Sequence, residues 1–201
     1  MSRRGRRDRH PGRSPLRSGK VMSAAAAARL ARRLGRRGAV VVFTNGCFDL
    51  LHAGHVDLLE RARALGDALV VGVNTDRSVL RLKGAGRPIV PLRERMEILA
   101  ALRAVDAVVP FAAPTPALLV RRLRPGILAK GADYRDRLIV GRDTVERDGG
   151  RVVTLPLRPG RSTSALIERV LRNARGARSR AARSPRGAAR RRAIRQRGSR
   201  R

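Results

Sequence analysis

Residues 44–55 read TNGCFDLLHAGH and hold the only cysteine of the chain, Cys47, together with Asp49 and two of its three histidines, His52 and His55. Three chemistries are open to such a set. A metal centre needs three or four ligands. His52 and His55 stand three apart and would share a helix face, but no second Cys or His pair at zinc spacing accompanies them, so no side-chain-bound metal is expected. A nucleophile site needs a base beside the thiol and a group to orient it. Cys47 lies between Gly46 and Phe48, and a lone cysteine more often serves as a small buried hydrophobe. A phosphate site fits best. The stretch follows an apolar run, AVVVF, contains a glycine turn and opens a helix near His52. A helix N-terminus offers unpaired N–H groups and the positive end of its dipole to an anion. Two imidazoles on that first turn can donate to phosphate oxygens, and Gly54 between them lets a ligand approach the backbone.

Such a site needs a strand before it and a helix behind it, and the rest of the chain repeats that alternation. Apolar, β-rich runs predict strands over 39–43, 67–74, 106–111, 126–131 and 151–157. Helical spacing or composition predicts helices over 22–35, 53–66 with Gly66 as its stop, 91–105 opened by Pro91, 114–125 closed by Pro125, 137–150, and 162–175 opened by Ser and Thr. Strands that are apolar throughout and alternate with helices imply a parallel sheet covered on both faces. The expected fold is α/β, a doubly wound five-stranded parallel sheet. Ligands of such sheets bind beyond the carboxyl ends of the strands, where the strand order reverses. Residues 44–55 lie there, directly after the first strand.

Charge divides the chain. Of 47 Lys and Arg against 15 Asp and Glu, net +32, residues 1–37 hold 13 basic and one acidic side chain, and residues 172–201 hold 13 basic and none. The ends therefore carry most of the excess, and blocks of like charge repel and resist folding. The expected organisation is a disordered basic tail over 1–19, an N-terminal helix over 20–37, the α/β domain over 38–172 and a second disordered basic tail over 173–201. The tails read either as an arginine-biased composition or as polyanion-binding segments. On charge alone they should bind DNA or RNA non-specifically at low salt. One cysteine excludes an internal disulfide framework. No apolar run approaches a membrane span, and the Ala-rich stretch at 22–35 is broken by Arg, unlike a signal-peptide core. A cytoplasmic protein is the expectation, with no membrane partner. The number of subunits is not set by the sequence, and a homodimer is compatible with it.

FTNGCFDLLHAGH resembles the H-x-G-H signature of the nucleotidyltransferase superfamily. LVVGVNTDRSVLRLKGAGRPIVPLRERMEILAAL, VDAVVPF, AKGADY and DGGRVVTLPLRPGRSTSALIERV resemble, in order, the adenylyltransferase domain of heptose-phosphate enzymes, from about Lys20 to Leu171. The resemblance implies a Rossmann-like nucleotidyltransferase fold, transfer of AMP from ATP to D-glycero-β-D-manno-heptose 1-phosphate, and release of pyrophosphate without a covalent enzyme intermediate. It implies Mg2+ as the companion of ATP, held mostly by phosphates and water.

By the same resemblance, His52 and His55 would bind the triphosphate and stabilise the transition state. Lys83, in the loop after the second strand, would bridge the phosphates of the two substrates. Thr44, Asn45, Phe48, Asp49, Gly54, Arg95 and Lys130 would serve the nucleotide, with Arg95 reaching phosphate. Ser162, Thr163 and Ser164 would donate to the β- and γ-phosphates. Asn74, Asp76, Gly131 and Tyr134 would contact the acceptor. The second signature more often reads Ser-Thr-Thr; here it is Ser-Thr-Ser, which keeps the hydroxyl. Many relatives carry a sugar-kinase domain ahead of this one; with 37 residues before the first strand, the kinase step is expected from another protein. A cytidylyltransferase acting on glycerol 3-phosphate or a similar alcohol phosphate is the alternative on the same fold. A nucleic-acid-binding protein working through its Arg-rich ends is the alternative of another class.

Overall fold

The computed structural model of the protein describes residues 19–132, 139–157, 160 and 162–183, without the side chains of 178–183. It contains a five-stranded sheet of β1 (Val41–Gly46), β2 (Ala68–Asn74), β3 (Ala107–Phe111), β4 (Ile127–Gly131) and β5 (Arg151–Leu155), in the order β3-β2-β1-β4-β5. All four pairings are parallel. The doubly wound α/β fold read from the sequence is thus the observed one.

Alternate residues of each strand feed two cores. Val41, Phe43, Val70 and Leu128 point to one face, where they pack with Ala27 and Ala31 of α1 (Ala24–Gly35), Leu119 and Leu123 of α5 (Ala117–Leu123), and Val145 of α6 (Arg142–Arg147). Val42, Leu69, Val71 and Ala129 point to the other, against Leu59 and Ala62 of α2 (Ala53–Arg63) and Leu99 of α4 (Leu92–Ala101). Burying both faces is what permits strands with no polar alternation.

The strand order reverses at β1. Its ladder with β2 runs as far as Gly46 opposite Val73, whereas its ladder with β4 pairs only Val42 with Ile127 and Phe43 with Leu128. Beyond Phe43 the two strands part, although β4 stays paired with β5 to its end at Gly131. That divergence opens the crevice in which ligands of such sheets bind.

Four expectations change. The expected helix within 20–37 is present as α1, but the domain reaches back past the start drawn at 38: Val108 donates its N–H to the Lys20 carbonyl at 2.8 Å, Met22 donates to the Val108 carbonyl at 3.0 Å, and α1 packs into the core. This short pairing covers the outer edge of β3, which would otherwise expose a row of unpaired backbone groups. Lys83 is not in a loop, because residues Asp76–Lys83 form a helix, α3, that the sequence reading missed. The helix expected over 137–150 begins only at Arg142 among the described residues. The last helix, α7 (Thr163–Arg183), runs past the boundary drawn at 172 into the stretch read as tail. The chain forms two compact units, Met1–Leu157 and Arg158–Arg201, and α7 lies in the second. The basic ends at 1–18 and 184–201 lie outside the described residues.

Candidate active site

The turn after β1 is strained and closely packed. Phe48 adopts φ 47°, a left-handed conformation that costs a non-glycine residue roughly 1–2 kcal/mol. Burial of its ring offsets that cost: Phe48 is 4% exposed within the α2 and α4 core. The ring folds back over Gly46, where a Cβ would lie 3.2 Å from Phe48 Cε2. On its other side it meets His55, with ring centroids 5.2 Å apart. A conformation held against its own strain is a common mark of a functional turn.

The turn delivers the chain to α2. His52 is the N-cap of α2, in extended conformation, and its side chain makes no capping hydrogen bond to the helix. His55 is on the first turn and donates its N–H to the His52 carbonyl at 2.9 Å. The two imidazoles stack, with centroids 3.9 Å apart and planes 20° from parallel. Burial, and then the nearby His52, lower the His55 pKa from 6.5 to about 4. At neutral pH His55 is therefore an uncharged imidazole with one N–H to give. Its Nδ1 is buried and has no hydrogen-bond partner among the described residues. A buried polar atom left unsatisfied at a helix start is costly for the fold alone and points to ligand chemistry.

Behind the histidines lies a network of buried charge. The Arg95 side chain is 0% exposed. Its Nε donates to the Val90 carbonyl at 2.9 Å, its Nη1 to the Cys47 carbonyl, and its Nη2 to the Asn74 carbonyl at 2.9 Å and to Asp76 Oδ1 at 2.6 Å. It neither reaches outward to phosphate nor sits on the surface; it ties together the segments that follow β1 and β2. Asp49, also buried, accepts from the N–H groups of Ile89 and Val90 at 2.8 and 2.9 Å and from Arg87 Nε at 2.6 Å. Asp76 accepts from Leu92 N at 3.2 Å besides its pair with Arg95. Asn74 spends its amide on Ser78 at 2.9 Å, and both are buried. Asp49, Asn74, Asp76 and Arg95 thus build the walls of the site with their own bonds.

Other expected residues line the divergence of β1 and β4. Lys130 on β4 donates across it to Asn45 Oδ1 on β1, and Thr44, Lys130 and Gly131 are buried at the strand ends. Gly54 is buried in the first turn of α2. Lys83 is exposed at the end of α3 and forms no ion pair among the described residues. Cys47 is held protonated: burial raises its pKa more than the charges of Lys83, Arg95 and Arg87 lower it. That speaks against a nucleophile, although the side chain is half-buried rather than buried as expected. In the second unit, Ser162 Oγ accepts from Ala165 N at 3.1 Å and so caps α7, of which Thr163 and Ser164 are the first residues. Tyr134 lies outside the described residues.

Three residues at this rim escaped the sequence reading. Arg87 pairs with Asp49, Ser78 receives Asn74, and Thr75 carries a buried Oγ1 with no partner among the described residues. Only Thr75 left a trace, as the residue between Asn74 and Asp76. Among the described residues no group of three His, Cys, Asp or Glu side chains is placed to hold a metal ion. No helix there is long and apolar enough to cross a membrane.

A parallel sheet with a histidine-bearing helix start at its switch point defines a phosphate-handling α/β enzyme domain. Residues 43–169 match the model of the cytidylyltransferase-like family, and the chain belongs to that family of nucleotidyltransferases. It is 54% identical over 153 residues to the bifunctional protein HldE of Magnetococcus marinus, covering 76% of this chain and 31% of that one. To the HldE of Halorhodospira halophila it is 57% identical over 145 residues, covering 72% and 30%. To that of Coxiella burnetii it is 55% identical over 134 residues, covering 67% and 28%. The match spans less than a third of each of these relatives. A solved structure, the lipopolysaccharide core biosynthesis protein of Thermoplasma volcanium, is similar at 27% identity and a TM-score of 0.49, covering 60% of this chain and 98% of that one.

Proposed function

We propose that the domain transfers AMP from ATP to a heptose 1-phosphate, giving ADP-heptose and pyrophosphate. The observation that carries the chemistry is the stacked His52 and His55 pair at the start of α2, beside the crevice between β1 and β4. The identity to the HldE proteins supports the choice of nucleotide and acceptor. In this reading an acceptor phosphate oxygen attacks the α-phosphorus of ATP. The new P–O bond forms as the bond to pyrophosphate breaks, and pyrophosphate leaves with the electron pair. The work of the protein is to hold the reactants in line and to stabilise charge gathering on phosphate oxygens.

His55, neutral at working pH, acts as a hydrogen-bond donor and adds no fixed charge. The α2 N-terminus adds its own N–H groups. Positive charge comes from Lys83 and Lys130. Mg2+ would enter with the triphosphate and neutralise part of its charge. The described side chains form no cage for it, so its other ligands would be phosphates and water. The test measures pyrophosphate release with ATP and CTP crossed against heptose 1-phosphate and glycerol 3-phosphate, with and without Mg2+. Metal-dependent turnover of ATP with the heptose is expected. A clear preference for CTP with glycerol 3-phosphate would overturn the substrate assignment and leave the family unchanged.

A further inference from the structure

Lys83 is a proposed phosphate contact whose own helix is weakly anchored by apolar packing. In α3 only Ser78 and Val79 are buried, while Leu80 and Leu82 are 48% and 53% exposed. A two-turn helix with so little apolar grip does not hold its last residue in place by itself. Polar anchors do so at both ends. At its start, Asp76 is paired with the buried Arg95 and accepts from Leu92, and Asn74 bonds Ser78. Beyond its end, the segment 84–90 returns to the turn after β1, where the Asp49 carboxylate receives Arg87, Ile89 and Val90. Val90 is gripped twice, its N–H by Asp49 and its carbonyl by Arg95, and Arg95 also holds the carbonyl of Cys47, two residues before Asp49. Full burial makes such charges expensive to leave unpaired, so the segment has one low-energy place to lie.

We infer that Asp49 is a positioning residue: by clamping Arg87, Ile89 and Val90 to the β1 turn, it sets where Lys83, at the end of α3, stands relative to that turn, and it does not itself touch substrate. The charge of Lys83 is among those that lower the Cys47 pKa, which is compatible with that placement. This role rests on the proposed nucleotidyl transfer, but its structural half can be read without turnover.

The experiment is a double-mutant cycle of Asp49→Asn and Lys83→Ala on the full chain, with hydrogen exchange at the amides of Ile89 and Val90. Asp49→Asn should lower kcat by about 10- to 100-fold in the natural background, and by less than about threefold once Lys83 is already Ala, because the two act as one unit. Exchange at Ile89 and Val90 should quicken in Asp49→Asn and stay as in the natural protein in Lys83→Ala. Arg87→Ala removes one of the three clamp bonds from a partly exposed side chain, and it serves in the same cycle if Asp49→Asn fails to fold. Equal losses from the clamp variant in both backgrounds, or unchanged exchange at the two amides, would overturn the inference. Absence of turnover in the natural protein with every nucleotide and acceptor would instead count against the proposed function, while the exchange result would still decide the clamp.

Discussion

The two rims of the sheet use the same residue types to different ends. At the amino-terminal rim, Asp67 accepts the Val40 N–H at 2.7 Å, and Asp106 accepts the Leu69 N–H at 2.8 Å while pairing with Arg63 at 3.0 Å. The Arg63 and Asp106 side chains are 37% and 38% exposed. Space there is reserved by glycine. A Cβ on Gly66 would lie 2.6 Å from the Val40 carbonyl oxygen, and one on Gly150 would lie 2.6 Å from that of Gly126. At the carboxyl rim, by contrast, Asp49 and Arg95 are buried, Phe48 is strained and His55 carries an unsatisfied nitrogen. Half-exposed carboxylates and close backbone packing hold a fold together cheaply. Buried charge, strain and unsatisfied polar atoms are costs that a fold alone would not retain. The contrast sets a rim of exposed carboxylates and close backbone packing against the rim of buried charge and strain where the proposed chemistry lies.

The largest expected effect comes from crossing the two rims. His52→Ala and His55→Ala should each lower turnover at least about 100-fold, the usual scale for losing a transition-state donor, with melting temperatures within a few degrees of the natural protein. Gly150→Ala should do the reverse. Forcing a methyl against a carbonyl oxygen costs roughly 1–3 kcal/mol, while turnover per folded molecule should stay within about twofold. Steady-state kinetics and thermal melts on the three variants check both halves. A histidine variant with near-natural turnover at saturating nucleotide would refute the phosphate-site reading.

A smaller effect concerns protons at the carboxyl rim. The folded pKa of His55, about 4, lies below its ordinary 6.5, so protonation favours the unfolded chain. Its neutral form contributes fully above about pH 6.5. That contribution should drain away as the pH falls toward 4, at no more than about 1.4 kcal/mol per unit. His55→Gln should flatten this part of the stability profile. Denaturant midpoints measured from pH 7.5 to 4 test it, and parallel slopes for the two proteins would mean that His55 is not the group responsible.

Much of this architecture was legible in the sequence, and the rest was hidden for identifiable reasons. Five apolar runs located the five strands, and the helix start at His52 followed from the strand before it. α3 was missed because it is only eight residues long, buries only Ser78 and Val79, and follows β2 after the single residue Thr75. The burial of Arg95 was invisible because its partners lie on three other segments, and three of the four acceptors, the carbonyls of Val90, Cys47 and Asn74, are backbone atoms that leave no mark in residue identity. The reach of α7 to Arg183 was hidden by an Arg- and Ala-rich composition that suits a solvated helix as well as a tail.

The smallest expected effect on turnover comes from the chain ends, which lie outside the described residues. Among the described residues, the first bond that ties the N-terminal segment to the sheet is made by Lys20, whose carbonyl receives Val108, so a cut before residue 19 leaves the β3 edge covered. At the other end the cut belongs after Arg183, where α7 ends. A chain of residues 19–183 should therefore retain turnover within about twofold. Residues 1–18 and 184–201 nevertheless carry 15 of the 47 basic side chains and one of the 15 acidic ones. Each phosphate that such a cation neutralises releases a counterion, so removing them should weaken DNA or RNA binding and flatten its dependence on salt. Turnover and nucleic-acid affinity of both chains, measured across a salt series, separate the two properties. A large fall in turnover would bring the ends into the chemistry of the carboxyl rim. Equal nucleic-acid affinity in both chains would place the polyanion-binding charge on residues 19–183 instead.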